Sequence, residues 1–349
     1  MIPARLVRRL VLAPGVVLLT FLAFTTLPLW MIGAALATAF VPGRWRPLRL
    51  LWVALVYLVC ESIGILACFA LWIASGFGAT TRTKRMQDAH YNLMRWFIET
   101  VYRAALPVLK LSVDVDHVEE AGASPESSNR PLLVLSRHAG PGDSFLVVYE
   151  VLVRLQRRPR IVLKDALQWD PCMDIVLNRL PNRFISPNPG STGDQVVAAI
   201  GDLAEGMDER DALVIFPEGG NFTPRRRMRA IERLKRLRHH DEAEVAERMT
   251  NVMAPRPGGA LAAIEATPET DILFVAHTGL EHMSTIADLW AGLPMDQSVL
   301  IGWWTIAEES LPNDRDEQVS WLFRHWEDVD GWIERNKRPT PRTWRRAVG

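Results

Sequence analysis

Between Arg9 and Arg44 the chain carries no charged side chain for 34 residues, and between Arg49 and Arg82 it runs 32 more with only Glu61 to interrupt it. A bilayer core takes about 20 apolar residues as helix. Each run is therefore long enough to cross a membrane, and the short linker from Val41 to Pro47 makes the pair a helical hairpin. The first run is too long for the core of a cleaved leader and the second follows at once, so the hairpin is expected to be retained. Trp30, Trp45, Trp52 and Trp72 fall towards the span ends, as in an aromatic belt. Arg5, Arg8, Arg9, Arg82, Lys84 and Arg85 flank the runs, against Arg44, Arg46 and Arg49 in the linker. That excess places both ends in the cytoplasm. A hairpin that dips into one leaflet is the alternative. Charge at membrane depth is costly, so Glu61 is either functional or a protonated or helix-paired structural group.

After the hairpin, Met86, His90, Leu93, Met94, Phe97, Val101 and Ala105 recur at helical spacing, which predicts an amphipathic helix over 83–106 ended by Pro107. From there strand-like and helix-like segments alternate. Strands are expected at 110–116, 131–136, 159–163, 183–186, 212–216, 271–276 and 298–303, with helices near 143–156, 193–208 and 258–267. This is an α/β pattern with a mixed, largely buried sheet flanked by helices. Segment 121–130 reads as an exposed loop, and the basic tail as frayed. The expected domains are a membrane hairpin (1–82), an amphipathic linker helix (83–107), an α/β domain (108–310) and a C-terminal helical segment with a basic tail (311–349).

A formal charge of zero gives no whole-protein attraction to nucleic acid. Three cysteines, Cys60, Cys68 and Cys172, supply neither a disulfide framework nor metal-ligand spacing. His239-His240 beside Asp241 and Glu242 reads as a helix or loop surface and not as a metal site. Basic charge is mostly arginine, a compositional mark of a GC-rich, bacterial genome.

The chemistry concentrates after the strands. His138 and Asp143 stand five residues apart in Leu135-Ser136-Arg137-His138-Ala139-Gly140-Pro141-Gly142-Asp143. A continuous helix would put them on different faces. The Gly-Pro-Gly insert breaks that regularity and lets the carboxylate return to the imidazole. A carboxylate on one ring nitrogen fixes the tautomer and frees the other nitrogen to take a proton. Lys164 ends a strand, where it is placed either to meet an anion or to sit in solvent. Arg183-Phe184-Ile185-Ser186-Pro187 is a short apolar pair after an arginine. Phe216-Pro217-Glu218-Gly219-Gly220-Asn221 puts a glutamate and two glycines behind a strand. Glycines there permit close ligand approach, or simply a turn.

Taken in order, His-x4-Asp, Lys-x-x-Leu-x-x-x-Pro, a Phe-Ile block and Phe-Pro-Glu-Gly 80 residues after the histidine resemble the lysophosphatidic acid acyltransferase superfamily. Pro255-Arg256-Pro257-Gly258-Gly259 and Trp321-Leu322 with Asp328-Val329-Asp330 are similar to elements of its lysocardiolipin acyltransferase-like branch. The resemblance covers roughly residues 85–335. It implies transfer of a fatty acyl group from acyl-CoA or acyl-carrier protein to the hydroxyl of a lysophospholipid or lysophosphatidic acid, without a cofactor or metal. With the hairpin, its flanking arginines and the bacterial composition, the expected place is the bacterial inner membrane with the catalytic domain facing the cytoplasm. The resemblance also implies that His138 is the general base and Asp143 its orienting partner. Lys164, Arg183, Phe184, Ile185, Pro217, Glu218, Gly219 and Asn221 would be substrate-binding. No Gly-x-Ser-x-Gly elbow is present, so attack by the acceptor hydroxyl is expected to be direct.

The chain departs from that pattern at three places. Gly220-Asn221 replaces the family's Thr-Arg, Pro187 replaces an arginine, and Val275-Ala276-His277 replaces Val-Pro-Val. The lost arginines are bidentate phosphate partners, which Arg183 or one of Arg225, Arg226 and Arg227 would have to replace. Residues 225–238 hold eight basic side chains against Glu232. This amphipathic helix suits an anionic head-group surface or simple solvation. A catalytically silent lipid-binding protein and a membrane lipid hydrolase are the competing readings.

Overall fold

A computed structural model describes residues 2–41, 43–117, 125, 128–140, 142–185, 193–281, 290 and 292–337. Segment 121–130 lies largely outside the described residues, as do Ser186, Pro187 and the tail from 338 onward. The chain divides into two compact units. One is residues 1–112, 163–188 and 293–296; the other is 113–162, 189–292 and 297–349. Residues 163–188, counted above with the α/β domain, thus cluster with the N-terminal helices.

In the first unit the leading apolar run is not one helix. It forms α1 (Arg5–Thr25) and α2 (Leu27–Phe40). Pro28 in the first turn of α2 lacks an N–H, and the hydroxyls of Thr25 and Thr26 donate back to the Leu22 carbonyl, so the helix restarts at Leu27. The expected two-helix hairpin is therefore corrected to three helices. Of these, α1 and α3 (Arg46–Ala74) are long and apolar enough to cross a membrane, while α2 is shorter. The amphipathic helix α4 (Lys84–Leu109) runs through Pro107 instead of stopping there. Proline this close to the end removes one amide hydrogen bond, and the last turn closes through Lys110 N–H to the Pro107 carbonyl (3.2 Å). Helix α3 packs on α1, α2 and α4.

The same unit holds a short helix, α6 (Pro171–Leu177), whose N-terminus is capped twice. Asp170 accepts from Met173 N–H at 2.9 Å, and Glu61 of α3 reaches across to accept from Cys172 N–H at 2.8 Å. Glu61 is thus a buried helix cap, and two of the first amides of α6 find acceptors. Gly64 makes this approach possible: a Cβ there would stand 2.4 Å from Cys172 Sγ. Asp174, fully buried, pairs with Arg8 (2.8 Å) and Arg9 (3.6 Å) of α1.

The sheet has seven strands in the order β1-β7-β6-β2-β5-β3-β4. They are β1 (Leu111–His117), β2 (Leu132–Ser136), β3 (Arg158–Lys164), β4 (Arg183–Ile185), β5 (Asp211–Ile215), β6 (Asp271–Thr278) and β7 (Gln297–Ile306). Each lies within about three residues of its expected place. β2 pairs in parallel with β5 and β6, β3 in parallel with β5, and β7 antiparallel with β6. Every residue of β2, β5 and β6 is buried, as central strands covered on both faces require.

Helices α5 (Asp143–Tyr149), α7 (Gly193–Ala204), α8 (Pro224–Arg236), α9 (His240–Arg248), α10 (Pro257–Ala266) and α11 (Arg315–Asn336) complete the second unit. A wider helical turn extends α5 through Arg154. On one face of the sheet Leu133, Leu213, Ile272 and Phe274 meet Ile200, Ile264, Trp321 and Trp326 in a continuous core. Trp332 of α11 lies where a Cβ on Gly302 of β7 would stand, 2.3 Å from its Cε2.

Candidate active site

β2 leaves the sheet at Ser136, and the loop to α5 carries His138. Strand ends of parallel sheets leave backbone and side chains facing an open edge, the usual place for a site. The fold-back expected of the Gly-Pro-Gly insert is present. His138 Nδ1 lies 3.0 Å from each oxygen of Asp143, the first residue of α5. Asp143 Oδ2 also accepts the amides of Ala139 (2.5 Å) and Gly140 (2.9 Å), so the loop closes around the carboxylate. Asp143 is fully buried. Burial opposes its charge, but the His138 hydrogen bond and the nearby His277 outweigh that and hold it below the usual carboxylate range.

His138 is 12% exposed at its side chain and packs at a tilt of 34° against Phe216, with ring centroids 4.6 Å apart. Its Nε2 has no protein partner among the described residues. With Nδ1–H donated to Asp143, that nitrogen carries the lone pair. The site therefore offers one oriented acceptor for a proton. The Ala139 and Gly140 amides are already engaged by Asp143 and are not available to an oxyanion.

Glu218 sits behind this loop, buried, with one oxygen on His138 N–H and the other on Met253 N–H, both at 2.9 Å. Burial pushes it up to about 7, against the two amides and Arg137, which favour its charge. Both oxygens of this residue, expected among those that bind substrate, tie two loops together. The Met253 loop is fixed from α11, where Asp330 accepts from Asn251 N–H (2.5 Å) and Val252 N–H (3.2 Å), and Trp326 Nε1 donates to the Met253 carbonyl (3.0 Å). Asp330 and Trp326 thus hold the loop that Glu218 joins to His138.

Arg137, 1% exposed, donates to Glu281 Oε1 (2.7 Å) and to the carbonyls of His277 (2.7 Å) and Asn251 (3.1 Å). Burial disfavours the Glu281 charge, yet Arg137 holds it down to about 2. His277, on β6 and fully buried, places Nε2 3.3 Å from the Arg137 carbonyl and 3.8 Å from Asp143 Oδ2. Burial keeps its proton affinity below the ordinary histidine value although Asp143 opposes that. Arg137, His277, Met253 and Asp330 were missed as site residues. For Arg137 and His277 the local hint is a charged or polar side chain at the end of an apolar strand; Met253 and Asp330 carry none.

The other expected residues divide between the units. Pro217, Glu218, Gly219 and Asn221 share the second unit with His138 and Asp143. Phe222 N–H donates to the His138 carbonyl at 2.7 Å, which ties that turn to the loop. Lys164 (exposed, ending β3) and Arg183, Phe184 and Ile185 (β4) belong to the first unit. Of the arginines proposed as phosphate partners, Arg227 is taken: it donates to the carbonyls of Met249, Ala246 and Glu247 at the end of α9. Among the described residues no three His, Cys, Asp or Glu converge as metal ligands.

Residues 115–276 match the Acyltransferase family. The stretch begins in β1, ends in β6 and contains His138, Asp143, Glu218 and Arg256. Over these residues the chain is similar to acyltransferase domains of the glycerolipid acyltransferase superfamily. No curated protein matches the chain. Within the matched residues the His138 loop brings together, at a strand end, a buried carboxylate and an imidazole nitrogen that has no partner among the described residues.

Proposed function

We propose that this protein is a membrane-anchored O-acyltransferase that moves a fatty acyl group from acyl-CoA or acyl-carrier protein to the hydroxyl of a lysophospholipid or lysophosphatidic acid. The observation that carries this reading is His138, with Nδ1 held by both oxygens of buried Asp143 and Nε2 without a partner among the described residues. Nε2 takes the proton of the acceptor hydroxyl as its oxygen attacks the thioester carbonyl. The tetrahedral intermediate collapses, the C–S bond breaks, and His138 returns the proton to the leaving thiolate. Asp143 holds the tautomer and stabilises the transient imidazolium. Such a base contributes about 10²–10⁴-fold.

The Pro255–Gly259 element and the Trp321-Leu322 block support a place near the lysocardiolipin acyltransferase-like branch. Anchorage rests on the first unit, where Leu18, Phe21, Leu29, Trp30, Ile32, Leu66, Phe69 and Ile73 are exposed along α1, α2 and α3. Apolar surface of this extent is disfavoured in water. The polar group of α3, Glu61, faces α6 and not the surroundings. The flanking arginines support a domain on the cytoplasmic face of a bacterial inner membrane.

The test compares membranes holding the wild type or His138→Ala, given a labelled acyl thioester and a panel of lysolipids. The expected result is acyl transfer reduced by about 10²–10⁴-fold in the variant. Equal transfer by both proteins overturns the assignment of His138. Acyl release without lipid product identifies a hydrolase, and no turnover with retained lipid binding a silent binding protein.

A further inference from the structure

Two guanidinium groups, of Arg256 and Arg226, stand against the Gly219-Gly220 turn at the start of α8, and three more arginines lie on or beside that helix. Gly219 has φ +69°, and a Cβ there would stand 2.9 Å from Arg256 Cζ. A Cβ on Gly220 would stand 3.3 Å from Arg226 Nη1, which donates to the Asn221 carbonyl at 3.0 Å. The two arginines thus flank consecutive residues of one turn. Arg229 and Arg233 follow Arg226 at helical spacing on the same side of α8, and desolvation, followed by repulsion from Arg233, disfavours the charge on Arg256. Arg225, Arg226, Arg229, Arg233 and Arg256 are exposed, and none pairs with a carboxylate among the described residues. Acids are within reach of the same helix elsewhere, since Lys235 pairs with Glu247 at its far end. The positive end of α8, which begins at Pro224, adds to the field.

Like charges held together without a counter-charge are an arrangement that an anion completes. Guanidinium forks match the oxygens of a phosphate ester bidentately. The turn is also fastened to the His138 loop on both sides, by Glu218 on His138 N–H and Phe222 N–H on the His138 carbonyl. An anion bound here is held in register with the imidazole. We infer that Arg256 and Arg226 form a binding site for a phosphate ester of a substrate. The assignment to a substrate rests on the acyl-transfer reading; the site itself does not. Two sources carry this group, the glycerol phosphate of the acceptor and the phosphates of coenzyme A.

Purified full-length protein in detergent is titrated calorimetrically with sn-glycerol 3-phosphate and, separately, with coenzyme A. The proteins are the wild type, Arg256→Gln, Arg226→Gln, the double variant and Arg256→Lys. The inference expects the double variant to bind one of the two probes on the order of tenfold or more weakly. Arg256→Lys, which keeps the charge and loses the fork, should fall in between. The probe affected names the source. Unchanged affinity for both probes overturns the inference, as does a loss confined to anionic vesicles, which would make the cluster a membrane-docking face. A wild type that binds the probe and transfers no acyl group defeats the acyl-transfer reading and leaves the site standing. One that transfers acyl groups with the double variant's affinities unchanged defeats the site alone.

Discussion

Glu218 shows how far a side chain's role is set by what reaches it. Its two oxygens accept amides 80 and 35 residues away in the chain, His138 and Met253. Glutamine has one acceptor oxygen, so its NH2 would face one of those N–H groups. Glu218→Gln is expected to cost about 1–3 kcal/mol and to lower acyl transfer at least about tenfold by loosening the His138 loop. Denaturation in detergent and the transfer assay measure the two effects. The pH dependence has a definite sign. Burial raises Glu218 from an ordinary 4.5 to about 7, so the stability it contributes is complete below 4.5 and is lost as pH rises through 7. The variant should lack that decline, and an unchanged slope between pH 5 and 8 would contradict it. His138 and Asp143 were legible as a pair because five residues and a Gly-Pro-Gly insert bring them together locally. Glu218 was legible as a position but not as a clamp, because its partners lie far off in sequence.

Among the elements, strands were the easier reading. β2, β5 and β6 are short apolar runs bounded by turn residues, and burial on both faces leaves no other assignment for them. The helices depended more on their surroundings. An unbroken apolar run from 10 to 43 does not reveal the restart at Leu27, which Pro28 and two threonine hydroxyls decide together. Pro107 reads as a stop, yet it falls within three residues of the helix end, where one lost amide bond matters little. The contact between α3 and α6 is set by Gly64 against Cys172 and by Glu61 on the Cys172 amide. Gly64→Leu would put side-chain atoms where Cys172 Sγ now lies, forcing the helices apart and stripping that cap. The expected loss is about 2–4 kcal/mol, as overpacking and a broken cap add. Thermal unfolding of the solubilised protein, with Gly33→Leu as a control at an open position, checks this. Equal melting of the two variants would refute the close packing.

At the scale of the molecule, the division into units determines what can be cut. Residues 163–188 share a unit with the N-terminal helices, and Asp174 is fully buried against Arg8 and Arg9. Removing residues 1–82 would strip Asp174 of both arginines and uncover the apolar face that α6 packs against α3 and α1, at about 1.5–3 kcal/mol for each large apolar side chain exposed. A domain's whole net stability is about 5–15 kcal/mol. A chain of 83–349 should therefore aggregate even in detergent, whereas a mere membrane anchor could be removed without harm. Recovery of a monodisperse, active fragment would refute this.

The apolar character of the N-terminus, the alternation of strands and helices and the local hook of Asp143 onto His138 are all written in short stretches of sequence. Each depends on neighbours within a few residues: hydrophobic period, turn chemistry and short loop closure. Tertiary structure decided the rest. It made Glu61 a helix cap, Glu218 a clamp between loops and Arg227 a cap for α9, and it set Arg256 against Gly219. A charged side chain's role depends on which amide, carbonyl or ion ends up opposite it, and chain segments far apart in sequence supply those partners.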